Sequence, residues 1–145
     1  MSHITTVTDI IFTDVKALKT AAQALKKEGI DCKLLTDSKP RAFYDNQMEK
    51  APFVLSLKNS RYDVGFYMTK EGNGYIAKAD FFGGEIEKQI GVKYQEGMNK
   101  NLTPMSKLYA QYTVAATVNE AVSKGYSVQR SVKSDGSIQL RIGVN

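Results

Sequence analysis

The sequence holds one cysteine, Cys32, one histidine, His3, and no tryptophan. A lone cysteine excludes an internal disulfide framework and any thiolate zinc cluster. A lone histidine excludes a histidine-rich metal site and leaves nucleophile triads without a base, unless His3 itself serves. No apolar run approaches the ~18 residues of a membrane-spanning helix. The N-terminus lacks the basic and apolar regions of a secretory signal. No phosphate-binding signature is present: Gly72-Asn73-Gly74 reads as a hairpin turn, and Gly83-Gly84 runs into Glu85 without a Lys-Ser/Thr pair. These absences leave no catalytic set, no metal site and no cofactor site. They fit a soluble cytoplasmic protein with a reduced thiol and no membrane partner.

What is present fits one domain spanning 1–145. The chain is 145 residues long, with 42% hydrophobic and 24% charged residues, which is enough for one core and cramped for two. The formal charge is +5. The excess is thin everywhere: residues 111–145, the most basic stretch, hold four basic residues against two acids. There is no Lys/Arg block and so no linear footprint for nucleic acid.

Residues 4–12 read as a β-branched strand ending in Ile10, Ile11 and Phe12. Thr13 or Asp14 caps a helix over 14–28, where Val15, Leu18, Ala22 and Leu25 form one apolar stripe. Gly29 ends it. Residues 30–36 alternate as a strand with Cys32 on the apolar phase, which makes Cys32 a small core residue. Residues 37–51 form a polar connection that is long for a compact domain, with Phe43, Tyr44 and Met48 able to pin it to the body.

A three-strand meander follows, carried by Phe53, Leu55 and Leu57, then Tyr62, Val64, Phe66 and Met68, then Tyr75, Ala77 and Ala79. Residues 81–101 are hardest to read, with one helical turn expected from Glu85 to Ile90. Thr103-Pro104 opens a second helix, Thr103 as cap, with Met105, Leu108, Tyr112, Ala115 or Ala116, and Val122 on one face. Two C-terminal strands, carried by Val128 and Val132 and by Ile138 to Val144, flank an Asp135-Gly136 turn. The order is β-α-β-β-β-β-α-β-β. That predicts an α+β fold: a mostly antiparallel sheet of about six or seven strands with two main helices on one face. An unpaired C-terminal edge strand can support a homodimer.

The candidate ligand or partner contacts are His3, Asp63, Tyr67, Asp80, Phe81, Phe82 and Gly83. Asp63 and Asp80 sit on neighbouring strands, on the phase opposite the aromatics. If they face solvent they are ordinary surface acids; if they converge with Glu85 or Glu87 they can hold a cation or form an acid–base pair. Tyr62, Tyr67, Tyr75, Phe66, Phe81 and Phe82 crowd the meander beside Arg61, Lys70 and Lys78. On an open sheet face such a set stacks single-stranded bases; on the even phase it is simply core.

Four stretches carry a family resemblance: Met1-Ser2-His3 with the Thr-rich strand after it, Tyr62-Asp63-Val64-Gly65-Phe66, the segment from Gly74-Tyr75 to Ala79-Asp80-Phe81-Phe82-Gly83, and Asp135-Gly136-Ser137-Ile138-Gln139-Leu140-Arg141. Tyr109-Ala110 fits as well. Together they resemble the hypothetical chloroplast reading frame 35 family of cyanobacteria and algal plastids, also known as domain of unknown function 1257. The family pattern has tryptophans where this chain has Phe81 and Phe82, and 37–51 and 91–104 diverge from it. Such divergence, rich in Asn and Lys, suits a copy carried by a cyanobacterial virus. The resemblance implies a protein of the cytoplasm or plastid stroma, or of the host cytoplasm for a viral copy. It implies no activity.

Three functional expectations remain. The favoured one is a non-catalytic binding or adaptor module acting through protein contacts, since catalytic constellations are missing and two long loops are present. The alternative is a nucleic-acid-associated protein using a basic, aromatic surface. The third is a small-molecule or metal-dependent enzyme with His3, Asp63, Asp80 and the Phe81–Gly84 turn in one pocket.

Overall fold

In the computed structural model, which describes residues 4–44, 48–135 and 137–144, the opening β-branched stretch forms strand β1 (Ile4–Phe12). Helix α1 (Val15–Lys27) follows. Its cap is Asp14, whose carboxylate accepts from the Ala17 amide at 3.0 Å. The next orphan amides, of Thr13 and Asp14 themselves, donate to the Tyr112 hydroxyl at 2.9 and 3.0 Å. The start of α1 is thus tied to a residue far along the chain.

Strands β2 (Cys32–Ser38), β3 (Ala51–Leu57), β4 (Val64–Met68) and β5 (Tyr75–Asp80) complete an antiparallel sheet of order β1-β5-β4-β3-β2. Two boundaries differ from the sequence expectation for a visible reason. Ile30 donates its amide back to Leu25, so it still belongs to the helix exit and β2 begins later. Asp63 donates its amide to the Arg41 carbonyl, so β4 starts only at Val64.

Short helix α2 (Glu85–Ile90) forms where the helical turn was expected and buries Ile86 and Ile90. Helix α3 (Ser106–Ser123) is preceded by a 3-10 turn, Thr103–Met105. Thr103 is not its cap: the hydroxyl bonds the Lys100 carbonyl instead. Val122 is also not on the buried face. Gln111 donates to Glu28 at the end of α1, and Asn119 to Asp14 at its start, so α1 and α3 run antiparallel. Near the end of α3 Ala121 still faces inward, while Val122 is turned outward and is 59% exposed.

The α+β class holds. Among the described residues seven strands divide five and two, because β6 (Ser127–Val132) and β7 (Ile138–Gly143) pair with each other and not with the larger sheet. Helices α1 and α3 cover one sheet face. That face carries Phe66, Val64, Leu55, Leu57, Ala77 and Ala79, all buried. Phe12 joins sheet to helix, with its ring 5.2 Å from Phe66, 5.6 Å from Tyr109 and 4.7 Å from Tyr112. Cys32 is a core residue whose thiol donates to the Ala22 carbonyl, and burial pushes its pKa up. A thiol so placed is inert.

The Asp14 cap yields a first expected outcome. Asp14→Ala should destabilise the fold by about 1 kcal/mol. Hydrogen bonds from the Ala17 amide and Asn119 hold this carboxyl below its ordinary value. Its contribution is therefore full above the unfolded-state value and lost as pH falls through the folded one. Urea melts of both proteins at neutral and acidic pH check this. Equal midpoints at neutral pH would show the cap to be idle.

Candidate functional site

The described parts of the long connection, residues 39–44 and 48–50, are not a loose loop. They form a strap across the sheet face opposite the helices. Alternation puts Val54, Gly65, Tyr67, Lys78 and Asp80 on that face. Pro40 lies so close over Gly65 that a Cβ there would meet its ring at 2.7 Å. The far end is held by the Tyr67 hydroxyl, which donates to the Glu49 carbonyl at 2.6 Å. Pro40, Met48 and Val54 are buried between strap and sheet. Phe43 and Tyr44 do not act as pins; both are about half exposed.

Two carboxylates anchor the strap. Neither faces solvent: Asp63 is 3% and Asp80 0% exposed. The ladder pairs Val64 with Ala79, so Asp63 stands across from Asp80 one step beyond it. Asp63 takes both prongs of the Arg41 guanidinium, at 2.9 and 2.8 Å, plus the Arg41 and Leu57 amides. The ion pair in turn raises the Arg41 pKa. Asp80 accepts the Phe43 amide from the strap and the Phe82 amide from its own turn, each at 3.0 Å. Burial of these acids is tolerable because each oxygen has donors.

Asp80 therefore joins two segments that each carry aromatics. Phe43 packs edge-to-face on Tyr44 at 4.7 Å and on Phe82 at 5.8 Å. Phe82 is 43% exposed and Phe43 47%. The turn beneath them needs two left-handed residues in succession, Gly83 at φ 73° and Gly84 at φ 67°. An L-residue is strained in that region, so glycine is required there. Phe81 points the other way and packs against the core.

Of the residues singled out from sequence, Asp63, Tyr67, Asp80, Phe82 and Gly83 are gathered around the strap. His3 lies outside the described residues. Glu85 does not join the aspartates. It accepts from Arg61 at 3.0 Å, and that amide holds its carboxyl below the ordinary range. Among the described residues no three His, Cys, Asp or Glu side chains are placed to hold a metal ion. The meander aromatics do not form a stacking face. Tyr62 and Phe66 are buried, and Phe53 packs on Tyr75 at 5.3 Å on the helix side. Tyr67 lies on the strap face with the Lys78 ammonium 4.9 Å from its ring centroid.

Arg41, Phe43 and Tyr44 belong to the site and were not singled out from sequence. Their signal was the length of the connection and its Arg-Ala-Phe-Tyr core. Nothing local paired them with Asp63 or Asp80.

A second outcome follows from Asp80. Asp80→Ala leaves the Phe43 and Phe82 amides without their acceptor, at about 1–2 kcal/mol in total after partial rescue by water. Amide exchange at 43 and 82 should accelerate before global unfolding. Unchanged exchange would separate Asp80 from the strap.

The fold and site define an α+β domain whose sheet is strapped on one face and displays an aromatic cluster beside the strap. No protein-family model matches the chain, and no curated protein or solved structure is significantly similar to it.

Proposed function

We propose that the chain is a non-catalytic binding module that acts through protein contacts, with Phe43, Tyr44 and Phe82 as its contact surface. The carrying observation is that these three rings are half exposed while the buried Asp80 carboxylate holds the backbone of Phe43 and Phe82, and Tyr44 packs on Phe43. A loop that merely spans a gap has no need of this arrangement. Rigid, exposed aromatics are the side chains that dominate protein–protein affinity, because they bury large area at small entropic cost. Asp63, Tyr67, Asp80 and Gly83 act in this reading by holding the rings in place.

The same proposal places the chain with the hypothetical chloroplast reading frame 35 family, in the cytoplasm, the stroma or the cytoplasm of an infected host. None of the described helices is long and apolar enough to cross a membrane. A homodimer through the outer edge of β7 belongs to this proposal too, and light scattering decides it. The groups the alternatives drew on are engaged elsewhere: Tyr62 and Phe66 are core, and the carboxylates of Asp63 and Asp80 are committed to the strap.

The test is capture of cyanobacterial lysate protein on the wild-type chain and on a Phe43→Ser, Phe82→Ser variant. A partner held by the first and released at least ten-fold from the second supports the proposal. Equal retention by both sinks it. Matching circular dichroism of the two chains guards against a trivial loss of fold.

A further inference from the structure

Helix α3 carries only Lys107 and Glu120 as charges and is apolar on more than its sheet-facing side. A helix apolar on opposite sides needs a second cover. That cover is the β6–β7 ribbon, which lies along the outer side of α3, where Lys107, Ala110, Gln111, Val114 and Ile138 line an open cavity of about 620 Å³. The ribbon register separates its two faces, with Arg130 as the one charged residue in phase with the apolar set and its long side chain reaching the groove on the other side. Val128 pairs with Ile142, Arg130 with Leu140 and Val132 with Ile138. Three of these, Val128, Ile138 and Leu140, are half-buried. The other face pairs Gln129 with Arg141 and Ser131 with Gln139, with Ser127 at the end. All five side chains are exposed, and Gln129, Ser131, Gln139 and Arg141 line a shallow polar groove together with Arg130.

The charge of this region is one-sided. Residues 121–145 hold four basic residues, Lys124, Arg130, Lys133 and Arg141, against one acid, Asp135. A division at residue 111 hides this, because it adds Glu120. Lys124 pairs with Glu120, but among the described residues Arg130, Lys133 and Arg141 have no acidic partner. Asp135 is turned onto Ser137 within its own loop.

We propose that the polar face of the β6–β7 ribbon enters the major groove of duplex DNA. Gln129, Ser131, Gln139 and Arg141 meet base edges, and Arg130 and Lys133 meet phosphates. The side-chain chemistry supports this. Glutamine bonds adenine in two-pronged fashion, arginine bonds guanine likewise, and serine serves either. Dimensions agree as well. A two-stranded ribbon fits a groove ~12 Å wide, and six residues span about 20 Å along it. Val128, Ile138 and Leu140 are turned toward α3 and give the ribbon a floor, which leaves the polar face outward. A-form RNA is a poor fit, because its major groove is too narrow for side chains to read. The ribbon and the strap lie on opposite sides of the molecule, so this surface is independent of the aromatic cluster.

Fluorescence anisotropy with the full chain and a mixed-sequence 24-bp DNA duplex is the first test. With two phosphate contacts, from Arg130 and Lys133, affinity should fall about 12-fold from 50 to 200 mM salt. Arg130→Ala with Lys133→Ala should weaken binding and reduce the salt slope by about 2. Selection from a random duplex library is the second test. The wild-type chain should enrich a short motif, and Gln129→Ala with Arg141→Ala should abolish the enrichment. The Phe43→Ser, Phe82→Ser variant should bind DNA as the wild type does, which keeps the two proposals separable. Absence of binding at 50 mM salt overturns this one. So does equal affinity for an RNA duplex, or enrichment that survives the ribbon substitutions.

Discussion

Asp63→Ala should lower stability by about 3 kcal/mol, which for a chain of this length is a fall in Tm of about 6–12 °C. The carboxylate is 5% exposed and accepts four hydrogen bonds, from the Arg41 amide, the two prongs of its guanidinium, and the buried Leu57 amide. Breaking a fully buried ion pair costs about 3–5 kcal/mol. The Arg41 side chain is 48% exposed, so its charge can turn to water and the lower end applies. The Leu57 amide cannot turn, and its loss is the larger part. Arg41→Ala should destabilise less, and the double variant should be little worse than Asp63→Ala alone, because the guanidinium contact is already lost there. Calorimetry on the four proteins checks the cycle. Additive losses would show that Arg41 and Asp63 act separately. Amides of residues 39–44 should exchange faster in each variant, because the strap loses its first anchor.

Phe12→Ala should cost about 4 kcal/mol, within the usual range for removing a buried aromatic ring. Phe12 is 1% exposed and sits between the sheet and α3, against Phe66, Tyr109 and Tyr112. No neighbouring side chain can swing into the void, since all three are rings already fixed by packing. The damage should spread to α1. Tyr112, released from the Phe12 ring, is also the acceptor for the Thr13 and Asp14 amides at the helix start. Denaturant melts followed by near-UV and far-UV circular dichroism measure this. Phe12→Leu should recover more than half of the loss, whereas a loss below 2 kcal/mol for alanine would mean that the site collapses.

The core was legible because its signals are local. Leu18, Ala22 and Leu25 recur at helical spacing, and Val64 with Phe66 and Ala77 with Ala79 alternate at strand spacing. Each pattern needs only its own neighbours to declare a buried face. The five-and-two division of strands was not legible. The alternation in Ile138, Leu140 and Ile142 is the same whether a strand adds to a sheet or lies on a helix. The deciding fact is the second apolar side of α3, which a search for one stripe passes over.

The site divides in the same way. That Asp63 and Asp80 share a phase opposite the core residues follows from strand alternation alone. That they are buried does not, because burial comes from the strap, and the strap is placed by contacts across 22 and 37 residues of chain. Composition by itself determined that the chain has no disulfide, no histidine-rich site and no linear basic block. Periodicity by itself determined the α+β class and most of the core. Tertiary structure alone decided which polar residues meet, because a hydrogen bond between distant segments leaves no period in the sequence. It also decided where the positive charge gathers, because the two strands of a ribbon bring together side chains that the linear order keeps apart.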